Sequence, residues 1–221
     1  VPMPGGAAAI RRPARMALGM LTECGLLEHP GASALRARLA EGEERTILAM
    51  IEHGINTPRT SSMGRLFDAV AALAGVRDDA LYEGQAAIEL EAVADPSAEG
   101  AYAFGVAEGP DGALVVDSAP VLSAVLDDVA AGVGAPVISA RFHRAVVMAV
   151  VDVCAQLAPA LGLTRVALAG GVFMNRLVVR GAVLGLREAG LEPLTHLRLP
   201  ANDGGIAFGQ AVVAWARRGA R

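Results

Sequence analysis

The chain has 221 residues, enough for one large domain or two small ones with a sizeable buried core. Just over half the residues are hydrophobic but only 4% are aromatic, so Ala, Val, Leu and Gly do the filling, as in helices packed closely on a sheet. A net charge of −4 gives no electrostatic case for nucleic acid, and all nineteen basic residues are Arg, which excludes a Lys nucleophile, a Schiff-base Lys and a P-loop Lys.

The first hundred residues read as helices. Residues 7–27 carry Ile10, Met16, Leu18 and Leu21 at helical spacing, with Pro13 placed for a first turn. Residues 43–53 repeat the pattern through Ile47, Leu48 and Ile51 and stop at Gly54. Thr60, Ser61 and Ser62 are placed to cap an amphipathic helix through Leu66, Phe67, Val70 and Leu73, closed by Gly75. A further helix is predicted over 85–94. Near residue 100 the pattern changes. Runs at 101–106 and 113–116 flank Glu108-Gly-Pro-Asp-Gly112, a hairpin signature. Helices over 120–130 and 137–158, a strand over 165–169, a helix over 175–189, a strand over 193–199 and a helix over 204–217 complete the order. The domains expected are therefore a mainly helical part, 1–99, and an α/β part, 100–221. In the latter a parallel pair is extended by the hairpin into a mixed sheet with flanking helices.

Cys24 and Cys154 show no CxxC spacing and read as free thiols of a reducing, cytoplasmic protein. The apolar run 145–160 is broken by Asp152, Gln156 and Pro159 and is expected to be too short for a bilayer, so no membrane partner is expected. The start, Val1-Pro-Met-Pro-Gly-Gly, is no signal peptide, and without an initiator Met it reads as the beginning of a fragment.

Two stretches carry the chemistry. A strand running into Gly170-Gly171 either makes a tight turn or lets backbone N–H groups approach a phosphate, and Asn175 either caps the next helix or touches the ligand. Asp203, in Asn202-Asp203-Gly204-Gly205, is either an N-cap or a ligand to a divalent metal at the place where open α/β sheets bind ligands. One Asp cannot hold a metal, and no HxxH, HxxxH or HExxH spacing occurs. His143, after Arg141-Phe142, either points into a cleft or packs half-buried. His29, His53 and His196 are given no role.

Five ordered blocks now stand together: Thr60 to Asp68 and on to Leu73, Tyr82-Glu-Gly84-Gln-Ala-Ala-Ile-Glu89, Ala140-Arg-Phe-His143, Gly170-Gly-Val-Phe-Met-Asn-Arg176, and Asn202-Asp-Gly-Gly-Ile-Ala207. In this order they resemble the C-terminal domain of the hydrogenase maturation carbamoyltransferases, the HypF family, over nearly the whole chain. The resemblance implies the C-terminal part of a duplicated actin-like ATPase fold (the ASKHA class). It implies ATP or carbamoyl-adenylate as the bound nucleotide, made by a YrdC-like domain of the same polypeptide, and transfer of the carbamoyl group to the C-terminal cysteine of HypE. Carried over, Asp68, Gly84, Glu89, Gly170, Gly171 and Asn175 bind nucleotide, Asp68 and Glu89 as acceptors for ribose hydroxyls. Asp203 matches the metal-binding Asp, for Fe, Zn or Mg, and with His143 forms the catalytic pair. The metal's paired histidines are expected upstream of Val1, so the chain alone is expected to be inactive, or nearly so, in transfer. The alternatives on the same fold are an antibiotic O-carbamoyltransferase or a small-molecule kinase. The non-enzymatic alternative is a nucleotide-binding or docking module.

Overall fold

The computed structural model describes residues 1–219. It divides into two compact units, Val1–Ala149 and Val150–Arg221, a boundary that falls inside a helix rather than near residue 100.

In the first unit α1 (Ala7–Arg11) and α2 (Pro13–Glu23) replace the single helix expected over 7–27. The break is at Arg12, φ −127°. A residue before proline is pushed out of the helical region, so Pro13 opens a new helix instead of sitting within the first turn of one. A single 3-10 turn, Pro30–Ala32, then leads into α3 (Ser33–Arg36). This turn had no counterpart in the periodicity. Its cap is His29, whose Nδ1 accepts from the Gly31 N–H at 3.2 Å while Nε2 lies 3.3 Å from Asp127. Helix α4 (Glu43–Glu52) ends as expected, with Gly54 at φ +64°. Helix α5 (Met63–Leu73) is buried almost along its whole length and packs on α2. Ser62 occupies its N-cap but makes no side-chain cap, and its own N–H donates to Thr60 Oγ1 at 3.2 Å. Helix α6 (Gln85–Val93) lies against α5.

Strands β1 (Gly105–Glu108) and β2 (Leu114–Asp117) form the expected antiparallel hairpin, pairing Gly105 with Asp117 and Glu108 with Leu114. Helix α7 (Ala119–Ala130) packs on the 30–32 turn and on α5 through Val121, Leu122, Val125 and Leu126, all fully buried. That packing gathers residues 101–149 with the helical region. The first part of α8 (Ala135–Leu161) adds Ile138, Phe142 and Val146 to the same core. Tyr102 donates to Asp128 at 2.5 Å and Arg141 reaches the same oxygen at 2.7 Å, fastening the extended segment before β1 to α7 and α8. At 27 residues α8 is longer than the expected 145–160 run, and it is long and apolar enough, by length and composition, to cross a membrane. It carries Arg141, His143, Arg144 and Asp152, and Ile138, Ala140, Phe142, Ala145 and Val146 belong to the core.

The second unit is a β-α-β arrangement. Strand β3 (Arg165–Ala167) and strand β4 (Glu192–Leu194) are parallel, in register Arg165 to Glu192, and are joined by α9 (Arg176–Glu188). A parallel pair needs such a crossover. Leu168, Ala182 and Leu186 form its core, with Val151, Cys154 and Phe173 packed around them. Helix α10 (Ile206–Gly219) follows. The α/β class is as expected. The hairpin does not extend the parallel pair, however: the described strands make two separate two-stranded sheets. Both cysteines are free and half-buried, and burial pushes each thiol upward.

Candidate functional site

The expected site residues fall into two groups, one in each unit. In the first unit Asp68 lies in the middle of α5, 3% exposed. Burial pushes its carboxyl up to about 6, with Arg65 opposing and Glu83 adding to the rise. Arg65 Nη1 lies 2.8 Å from Asp68 Oδ2. The contact is an ion pair without an aligned hydrogen bond, since neither atom finds a partner in hydrogen-bond geometry.

Gly84 is the N-cap of α6, at φ +81°. That left-handed conformation by itself explains a glycine there. Glu89, one turn into α6, receives a bidentate fork from Arg77, Nε to Oε2 and Nη2 to Oε1, both at 2.7 Å. Gln85 donates to Glu89 Oε1 at 2.8 Å and accepts from the Leu81 N–H at 2.7 Å. The Arg77 bonds, then that of Gln85, hold the Glu89 carboxyl below its ordinary range. A depressed carboxylate adds stability that is fully present above the ordinary glutamate value, about 4.3, and is lost as pH falls through the lower native one. Arg77→Met is therefore expected to flatten the fall of the melting temperature as pH drops below about 4.5. A melting curve against pH that keeps the wild-type slope would show that the fork carries no such linkage.

The loop ahead of α6 is held at several further points. Arg38 forks onto Asp78 at 2.8 and 3.1 Å and donates to the Ala72 carbonyl at 2.5 Å. Arg12 reaches Asp79 at 2.7 Å, and Ala80 N–H donates to the Arg11 carbonyl at 2.8 Å.

His143 is 2% exposed on α8, edge-on to Phe67 at 5.3 Å between ring centroids. Its Nδ1 lies 2.8 Å from the Ser139 carbonyl, which makes Nδ1 the protonated nitrogen. Burial pulls its pKa down, with that bond opposing. The ring is a neutral imidazole built into the core, so of the two sequence readings the packed one describes it.

In the second unit the chain leaves β3 through Gly170, whose φ of 102° and ψ of 166° are open essentially to glycine alone. Gly170 N–H donates to the Ala201 carbonyl at 2.7 Å. This bond sets the Gly-Gly loop beside the turn 203–205, beyond the C-terminal ends of two parallel strands, where open α/β sheets bind their ligands. A Cβ on Gly170 or on Gly171 would meet nothing within 4 Å, so the loop borders open space. Asn175 is the N-cap of α9, its Oδ1 accepting from the Val178 N–H at 3.0 Å. In the 203–205 turn the cap is Asn202, accepting from the Gly204 N–H at 3.1 Å. Asp203 is thus relieved of the capping role that the sequence left open, and its carboxylate is exposed. Among the described residues no group of three or more His, Cys, Asp or Glu stands ready to hold a metal ion. Asp203 alone does not fit a complete metal site.

Residues 1–210 match the family model described as carbamoyltransferase, Kae1-like domain, second subdomain. The chain belongs to the HypF carbamoyltransferase family. It is 39% identical over 97% of its length to the carbamoyltransferase HypF of Rhizobium leguminosarum bv. viciae, of which it covers 27%. It is likewise 39% identical to a HypF homolog of Cupriavidus necator, covering 55% of that protein. The chain thus spans about a quarter of the first of these relatives and just over half of the second. Among solved structures, a full-length HypF in the phosphate- and nucleotide-bound form superposes with a TM-score of 0.89 at 37% identity, over 96% of this chain and 27% of that one. The HypF of T. kodakarensis gives 0.79 at 26% identity, with 96% and 28% covered. The α/β Kae1-like fold is shared with both.

Three polar residues around the HypF-type blocks escaped the sequence reading: Arg65, Arg77 and Gln85. Gln85 and Arg65 lie inside the quoted blocks, and their burial is the signal that distinguishes them, at 6% and 9% exposed. Nothing in local spacing pairs Arg77 with Glu89, twelve positions away.

Proposed function

We propose that this chain is the nucleotide-holding part of a HypF-type carbamoyltransferase. In this reading it binds carbamoyl-adenylate, with ATP as the precursor nucleotide, for transfer of the carbamoyl group to the C-terminal cysteine of HypE in the building of hydrogenase cyanide ligands. The observation that carries the reading is the Gly170-Gly171 loop, bonded to Ala201 beside the Asp203 turn at the ends of parallel strands. Family membership supports it, as does a relative solved with phosphate and nucleotide.

The chemistry is acyl transfer from a mixed anhydride. The HypE thiolate attacks the carbamoyl carbon, the bond to the adenylate oxygen breaks, and AMP leaves with the electron pair. AMP is a good leaving group, so the protein has to orient and stabilise charge rather than supply a nucleophile. In this reading the backbone N–H groups of the Gly-Gly loop, in the second unit, are the candidate phosphate donors, and Asp68 and Glu89, in the first, are the candidate acceptors for ribose hydroxyls. Asp203 is the candidate catalytic residue; His143, expected beside it, is packed in the core with a neutral ring and takes no part in this reading. Asp203 supplies one carboxylate toward a divalent metal, which would polarise the carbamoyl or phosphoryl oxygen when bound. The YrdC-like domain and the remaining metal ligands belong to the longer polypeptide in this reading, and the setting is cytoplasmic, without nucleic acid or membrane.

The test is carbamoylation of a peptide carrying the HypE C-terminal cysteine, read by mass spectrometry, with ATP, carbamoyl phosphate and the longer protein that contains this chain. Cysteine carbamoylation is expected. Transfer to small hydroxyl compounds instead would make the protein an O-carbamoyltransferase. Nucleotide and HypE binding without transfer would make it a docking module.

A further inference from the structure

Burying two opposite charges favours a fold only when their remaining donors and acceptors are also satisfied. Arg65 and Asp68 do not meet that condition. Their side chains are 11% and 4% exposed. The two facing atoms are shut off from solvent with no aligned hydrogen bond. Their neighbours on α5, Leu66, Phe67, Ala69 and Val70, show what this environment otherwise takes. For packing alone, a pair of apolar side chains of similar volume would be neutral or stabilising there. A half-satisfied buried pair in an apolar helix points to a use other than stability.

We propose that Arg65 is a positioning residue of the nucleotide site, holding Asp68 as an aimed carboxylate so that it accepts a ribose hydroxyl. The proposal rests on the reading of Asp68 as a ribose acceptor. An ionised carboxylate only accepts, whereas a protonated one turns one oxygen into a donor and is a poor match for a hydroxyl that must donate. Three influences decide which form is present. Burial favours the acid, Glu83, in the loop leading to α6, favours the acid, and Arg65 alone favours the carboxylate. From α8, His143 faces Phe67 and is neutral. The balance leaves Asp68 near pH 6, ionised at neutral pH by a small margin. Without the guanidinium nothing opposes burial.

The i, i+3 spacing also fixes direction. Helical side chains lean toward the N-terminus, so the Asp68 carboxylate is carried back over Arg65, one turn earlier, and its Oδ2 is held there at 2.8 Å. Asp68 therefore has one oxygen committed to the arginine.

The experiment compares wild type, Arg65→Met and Arg65→Lys in the 221-residue chain. It reads the Asp68 carboxyl titration by carbon NMR and AMP affinity by calorimetry across about pH 5.5 to 8.5. Arg65→Met is expected to move the Asp68 midpoint up by about one unit. AMP affinity then falls about threefold at pH 6.5 and recovers to the wild-type value above about pH 8. Arg65→Lys, which keeps the charge, should keep the midpoint. If Arg65→Met does not fold, Arg65→Gln replaces it. A folded Met or Gln variant with an unmoved Asp68 midpoint overturns the proposal, and so does an AMP loss equal at every pH. A wild-type chain that binds no AMP, with the midpoint still moved by Arg65→Met, overturns instead the reading of Asp68 as a ribose acceptor, so the two failures are told apart.

Discussion

Gly171→Ala is expected to leave the melting temperature unchanged and to weaken ATP binding at least about tenfold, the cost of losing one or two charge-assisted bonds to phosphate. The folded chain gives no reason for a glycine there. Its φ is not positive, and an added Cβ would meet nothing within 4 Å. A requirement for glycine at 171 therefore comes only from something absent from the chain itself. A ligand drawn close to the backbone is what the ends of β3 and β4 would supply. Gly170→Ala is the companion. Its φ of 102° and ψ of 166° cost a side chain about 1–3 kcal/mol, so this variant should lower the melting temperature as well as the affinity. Calorimetry with ATP on both variants checks the pair. Wild-type affinity in Gly171→Ala would remove the loop from the ligand.

The largest effect on stability is expected from Gly31→Ala. The Cβ would lie 2.1 Å from the Leu126 carbonyl oxygen and within 3 Å of two further backbone atoms of that residue. Backbone cannot swing aside as a side-chain tip does. The 30–32 turn would have to leave α7, taking with it the His29 cap and its approach to Asp127. Overpacking in cores costs roughly 1–3 kcal/mol, and a clash with main chain at this distance belongs at or above the top of that range. Urea denaturation followed by circular dichroism would measure it. A change under about 0.5 kcal/mol would mean that the turn and α7 part easily.

The fold and the candidate site were legible where they depend on local backbone chemistry. Gly54 and Gly75 end their helices at positive φ as the sequence indicates, and the strand into Gly170-Gly171 is where it was expected. Asn175 does cap its helix. Legibility failed wherever tertiary approach decides the outcome. Ser62 stands at the N-cap of α5 as the sequence indicates, but its side chain makes no capping bond. Asp203 and Asn202 compete for one cap, and only coordinates show that Asn202 has it. The hairpin satisfied every local rule for a strand pair, but edge-to-edge pairing with β3 or β4 is a long-range matter that alternation cannot report. Arg77 and Glu89 meet across a loop, and Arg65 draws attention only once its burial is known.

The loop between α5 and α6 is held at four successive residues, Asp78 to Leu81. Arg38, Arg12 and Gln85 grip it from three sides, and Arg77 within it is itself committed to Glu89. Fixing a free backbone residue costs roughly 1–2 kcal/mol of entropy, and a ligand that has to order a loop bears that cost itself. Here it is met when the chain folds. Under the proposed function, a nucleotide entering beside Gly84 would meet a segment already held in place, and discrimination between nucleotides would lie in how long each one stays.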